Sequence, residues 1–167
     1  MDYGKGEMKG AMNGPEHILV AEDNATDAFF LQRAFSRGGM PVTLHFARDG
    51  QEVIDYLQGL GAFADRVAHP LPRLLLLDLN LPRLSGFEVL SWIRDQPALH
   101  DLQVVIFTGS NEPKDVRRAF GLGANSYWVK PHSIEELNAL VGRFKTAWGE
   151  PRSKNRKPEA VVNSLKH

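Results

Sequence analysis

The stretch Arg73-Leu74-Leu75-Leu76-Leu77-Asp78-Leu79-Asn80-Leu81-Pro82 constrains this chain more than any other. Four leucines run unbroken into a single carboxylate, and a proline follows. A short apolar run with no polar face reads as a strand buried on both sides, the centre of a parallel sheet. Asp78 then sits at the carboxyl end of that strand, the edge where open α/β sheets bind ligands. On this stretch alone Asp78 is equally well a turn-former that ends the strand. The other strand ends decide between the two.

Residues 17–21 (His-Ile-Leu-Val-Ala) form another buried run, ending in Glu22-Asp23. Asn24 can cap a helix carrying Phe30, Leu31, Ala34 and Phe35, which Gly38-Gly39 stops. Residues 42–46 alternate, as a strand with one less-buried face does, so they belong at a sheet edge. Asp49-Gly50 reads as a turn, and Val53, Ile54, Leu57 and Leu60 mark a second helix. A connector over residues 59–72 leads into the leucine strand. A third helix carries Phe87, Leu90 and Ile93 after Gly86 and ends before Pro97. Residues 104–107 are a fourth strand, followed by Thr108-Gly109-Ser110, and Asn111 with Pro113 starts a helix bearing Val116, Ala119 and Phe120. Residues 126–129 run into Lys130-Pro131. Ser133 and Glu136 have the spacing of a capping box, and Leu137, Leu140, Val141, Phe144 and Trp148 stripe the last helix.

Five strands alternating with five helices predict an α/β fold, a flavodoxin-like (βα)5 three-layer sandwich around a five-stranded parallel sheet of order 2-1-3-4-5. The alternating second strand suits the edge place this order gives it. The folded domain is expected over residues 17–149, after a flexible leader at 1–16 and before a disordered basic tail at 150–167, too short for a second domain.

The chain has 167 residues, is 43% hydrophobic and carries no cysteine, which excludes disulfides and thiolate chemistry. Twenty basic residues balance twenty acidic ones, so nothing in the charge points to nucleic acid or an anionic membrane as partner. No stretch reads as a membrane span or signal peptide, and a cytoplasmic setting is expected.

In the 2-1-3-4-5 order the strand ends converge. The first offers Glu22-Asp23, the third Asp78, the fourth Thr108 and the fifth Lys130. Each alone is unremarkable, but together they place three carboxylates, a hydroxyl and an ammonium on one sheet edge. Clustered carboxylates repel unless a cation sits among them. Mg2+ suits two carboxylates and a carbonyl plus waters, which assigns Asp23, Asp78 and the Asn80 backbone carbonyl as ligands, with Glu22 acting through water. A carboxylate oxygen of Asp78 can then attack a phosphoryl group, with Lys130 and Thr108 gripping the phosphate oxygens.

Two other signals are set aside. Residues 59–64 match G-x-G-x-x-A, but they follow a helix and open a loop, the wrong context for a dinucleotide fingerprint. The six histidines show no metal-ligand spacing.

These residues closely resemble the receiver domain of two-component response regulators over residues 18–148. The match lies in Glu22-Asp23, Asp78 within LLLLDLNLP, Gly86, Thr108 and Lys130-Pro131. The resemblance implies that Asp78 is the phosphoacceptor and that the Lys130–Pro131 bond is cis. It implies that Tyr127 is a switch aromatic whose ring moves inward when Thr108 engages the phosphate; Trp128 next to it points to the opposite face. Asn80 and Ser110 fall at positions that modulate spontaneous dephosphorylation. The connector, the LDLNLP wording and the final Trp148 are similar to single-domain regulators of the phytochrome-associated type. That implies a sensor histidine kinase or phosphotransfer protein as partner, and a homodimer through the fourth and fifth helix–strand face.

Two other functions compete. An Mg-dependent aspartyl-phosphate phosphatase commonly has a second acid two residues after its nucleophile, where this chain has Asn80. A scaffold with a vestigial site would not need the full set of site residues.

Overall fold

Every residue of β3 (Leu74–Leu77) is buried, between β1 (Glu16–Ala21) and β4 (Gln103–Thr108). The computed structural model describes residues 16–148, so the expected tail, and the leader apart from Glu16, lie outside the described residues. The sheet is wholly parallel, in the order β2-β1-β3-β4-β5, with β2 (Val42–Ala47) and β5 (Ser126–Val129) at its edges. This is the order predicted from the sequence.

The helices are α1 (Ala25–Arg37), α2 (Gly50–Gln58), α3 (Gly86–Arg94), α4 (Pro113–Gly121) and α5 (Ile134–Trp148). The leucine run explains why both sheet faces need cover. Leu75 and Leu77 enter a core with Tyr56, Val89, Leu90 and Ile93, while Leu74 and Leu76 enter another with Phe35, Leu140 and Phe144. Fully burying each leucine contributes roughly 1.5–3 kcal/mol, so the strand cannot shift register by one residue without exchanging both sets.

Register sets the site. Ala21 pairs with Leu77, and Thr108 pairs with Val129. Glu22 and Asp78 therefore leave the sheet at one level, and Lys130 follows directly beyond the partner of Thr108.

Four local expectations are corrected. β1 starts at Glu16, whose N–H donates to the Pro41 carbonyl at 3.0 Å. Asp49-Gly50 is a helix start rather than a turn: Asp49 accepts from the Glu52 N–H at 2.8 Å and caps α2. Leu60 lies beyond α2 and is exposed, because Gly59 reverses the chain at φ 68°. At Ser133 only half of the capping box forms, since Glu136 accepts from His132 N–H instead; the reciprocal box is at Ser85 and Glu88. The side chain of Trp148 lies outside the described residues.

The 59–72 connector is pinned. Arg66 donates to the carbonyls of Tyr56, Leu57 and His69, and the Tyr56 hydroxyl donates to Pro70 O at 3.0 Å. Residues Gly61–Phe63 make one 3-10 turn, which leaves no helix N-terminus for a dinucleotide phosphate and agrees with setting that motif aside.

Candidate functional site

Asp78 is held from both sides. Its Oδ1 accepts from the Thr108 hydroxyl at 2.9 Å and from the Asn80 N–H at 3.1 Å. Its Oδ2 accepts from the Lys130 ammonium at 2.8 Å. Lys130 also pairs with Glu22 Oε2 at 2.5 Å and reaches Asp27 Oδ2 at 3.4 Å. Glu22, Asp78 and Thr108 are buried, whereas Asp23 is exposed at the rim.

Carboxylate oxygens of Glu22, Asp23 and Asp78 lie within 4.8 Å of one another. Among the described residues one ammonium, that of Lys130, pairs with members of this trio, so negative charge is in surplus, and oxygen-only donors suit a hard divalent cation. The residues thus fit Mg2+. Burial raises the Glu22 carboxyl above its usual range, opposed by hydrogen bonds from Lys130 and the Asn24 N–H. Burial alone would lower the Lys130 ammonium, but hydrogen bonds and charge from Asp78 and Glu22 outweigh it and hold it well above the usual lysine range. Lys130 is a fixed cation.

The peptide geometry corrects one implication of the resemblance. No peptide bond among the described residues is cis, so Lys130–Pro131 is trans. The backbone positions the ammonium instead: the Lys130 N–H donates to Thr108 O at 2.8 Å, extending the β4–β5 ladder one step past the strands.

Tyr127 is fully buried, and its hydroxyl donates to the Ser110 carbonyl at 2.8 Å. The ring lies inward while Thr108 bonds Asp78 itself. Trp128 packs on the other sheet face against Phe144, as its alternation predicts. The Ser110 hydroxyl donates to Asp115 at 2.5 Å, which ties the β4–α4 loop to the first turn of α4.

Two features escaped the sequence reading. Asp27 joins the Lys130 network from the first turn of α1; its signal is its place in the first turn of the helix that starts directly after Glu22-Asp23. Gly86 is required by space: a Cβ there would lie 2.3 Å from the Asp78 carbonyl oxygen and 2.7 Å from Leu79 Cα. α3 thereby starts against the backbone that carries Asp78. A groove of about 280 Å3 opens beside Lys130, walled by Asp27, Phe30, Pro131 and Ile134.

The sequence model of the response regulator receiver domain matches residues 18–142. The chain belongs to that family. Among curated relatives, the probable methanogenesis regulatory protein FilR2 of Methanothrix harundinacea is 40% identical over 80% of this chain and 84% of its own length. Response regulator Rcp1 of Synechocystis sp. is 33% identical over 86% of this chain and 95% of its own. Among solved structures, the response regulator RPA3017 in red light signaling of R. palustris superposes with a TM-score of 0.78. It is 34% identical, over 83% of this chain and 96% of that one. The Mn(2+)-bound form of Rcp1 superposes with a TM-score of 0.74 at 32% identity, over 83% of this chain and 98% of that one. Solved relatives at similar identity include a cyanobacterial phytochrome response regulator, so this receiver domain resembles the phytochrome-associated single-domain regulators, as the sequence resemblance implied. No helix among the described residues is long and apolar enough to cross a membrane.

Proposed function

We propose that this receiver domain is a phosphorylation-switched signalling module that takes a phosphoryl group from a phosphohistidine onto Asp78. The observation that carries this reading is the convergence of Lys130 and Thr108 on the two oxygens of a buried Asp78 beside two further carboxylates. Asp78 attacks phosphorus, the P–N bond breaks, and the imidazole leaves with its electron pair and takes up a proton. An acyl phosphate remains. Mg2+, held by Asp23, Asp78 and the Asn80 carbonyl, with Glu22 through water, would neutralise charge on the transferring group. Lys130 is placed to pair with one phosphate oxygen. Thr108 is placed to give up its bond to Asp78 and donate to another. Tyr127 and Ser110, joined by a hydrogen bond, follow the Thr108 loop and present the change at the surface.

The kinship with phytochrome-associated regulators supports a phytochrome-type sensor histidine kinase, or a phosphotransfer protein fed by one, as donor. Output runs through protein contacts in a cytoplasmic setting, including a homodimer through the α4–β5–α5 face. Asn80 has no proton to give a leaving group, which disfavours a phosphatase acting on small esters.

The test is incubation with Mg2+ and acetyl phosphate, followed by intact mass. A gain of one phosphate that is absent in Asp78→Asn supports the reading. Turnover of phosphate esters without an adduct would support the phosphatase, and neither outcome would leave a scaffold.

A further inference from the structure

The histidines, scattered in sequence, do not stay scattered in the fold. His17 near the start of β1, His45 on edge strand β2 and His69 in the connector meet on the α2 side of the sheet. His17 Nδ1 lies 2.9 Å from His45 Nε2. The ring centroids of His17 and His45 are 5.2 Å apart, and those of His45 and His69 are 6.4 Å apart. All three are half-buried. We propose that His17, His45 and His69 form a binding site for a late first-row divalent cation such as Zn2+ or Ni2+, separate from the acidic site at Asp78.

The chemistry follows from the donors. Three imidazoles with no thiolate or carboxylate suit Zn2+, Ni2+ or Cu2+ and do not suit Mg2+. The facing nitrogens of His17 and His45 share one hydrogen bond, so one of them offers a lone pair to its neighbour. A cation replaces that shared proton. With Zn–N of about 2.0–2.1 Å in a tetrahedral site, neighbouring nitrogens stand about 3.4 Å apart. The His17–His45 pair therefore has to part by about half an ångström, and His69 has to swing inward to complete three ligands, leaving the fourth place to water.

The surroundings favour ordered rings. Tyr56 and Phe63 both pack edge-on against His69, at 5.7 and 5.3 Å between centroids, and Tyr56 lies tilted 5.7 Å from His45. Arg66 holds the His69 backbone through its carbonyl at 3.0 Å. The guanidinium is also a like charge that weakens a cation's hold. A bound ion would join β1, the edge strand and the connector at one point.

The full chain is titrated with Zn2+ in a large excess of Mg2+, which keeps the acidic site out of the measurement, and heat and imidazole 15N shifts are followed. One saturable site is expected, with shifts at His17, His45 and His69. His17→Gln and His45→Gln should each weaken Zn2+ at least tenfold, while His100→Gln, at an exposed residue, leaves it unchanged. Asp78→Asn should also leave it unchanged. Failure to fold would show in the melting curves, and the nitrogen shifts of the unaltered chain decide the matter without any variant. No saturable binding, shifts confined to other histidines, or loss of binding in Asp78→Asn would overturn the proposal.

Discussion

Lys130 reaches across two strand ends to Asp78, 52 positions earlier in the chain, and closes to 2.8 Å. The same ammonium holds Glu22, so one side chain pairs with both buried carboxylates of the site. Lys130→Ala removes the only ammonium found on this trio among the described residues. Two unit charges about 4 Å apart interact by about 4 kcal/mol at an effective dielectric near 20, less where water enters. Mg2+ affinity should therefore rise by about tenfold in the variant, read by titration calorimetry. Asp78 should still accept phosphate from acetyl phosphate, but phosphorylation should no longer change dimer or partner affinity. Unchanged Mg2+ affinity would mean that Lys130 does not compete for the carboxylates.

Gly86→Ala tests the packing that fixes Asp78. The added Cβ meets backbone atoms of Asp78 and Leu79 rather than a flexible side-chain end, so either α3 or the loop after β3 must move. Overpacking of this kind typically costs about 1–3 kcal/mol. Urea unfolding should show that loss, and the rate of Asp78 phosphorylation should fall with it, because the displaced backbone is the one that carries the nucleophile. Full stability with full phosphorylation would show that α3 can slide without disturbing Asp78.

Much of this was legible in the sequence, for a physical reason. Strand order and the main site follow from apolar runs whose last residue is charged or hydroxylated, and parallel pairing brings those ends together wherever the strands are neighbours. Asp78, Thr108 and Lys130 are each one step past or at the end of such a run. What escaped depends on distance rather than order. Asp27 enters the site only because α1 turns it toward Lys130. The contact of Gly86 with the Asp78 backbone has no signature beyond a glycine, and the Lys130–Pro131 bond is trans where the resemblance implies cis, because the strand ladder suffices to place the ammonium. Spacing carries no sign of the histidine trio, since His17, His45 and His69 come from two strands and a connector.

Tyr127→Phe isolates one hydrogen bond of the switch. The ring stays in the core, and only the bond to the Ser110 carbonyl is lost. A net loss of about 0.5–1.5 kcal/mol is expected in urea unfolding, against about 3–5 kcal/mol for Tyr127→Ala, which also empties the ring's place. If the hydroxyl links Asp78 chemistry to the β4–α4 loop, Tyr127→Phe should phosphorylate normally yet change its partner affinity less on phosphorylation than the unaltered chain. An unaltered response would assign Tyr127 to the core alone.

Tyr56 gives a pH-dependent reading of the pinned connector. Burial, opposed by the Arg66 charge, pushes its phenol up to about 12 from an ordinary value near 10. His45 and His69 also face the ring. The folded state thus holds the phenol proton more tightly than the unfolded chain does. Its contribution to stability is complete below pH 10 and is lost as pH rises toward 12, because the unfolded chain ionises first and is favoured. Absorbance of phenolate in the folded protein should show one tyrosine titrating near 12 that is absent in Tyr56→Phe. The stability of Tyr56→Phe should fall less steeply between pH 10 and 12, although the variant starts lower for want of the bond to Pro70. Equal slopes for the two proteins would mean that the phenol is open to water and that the connector is not held by it.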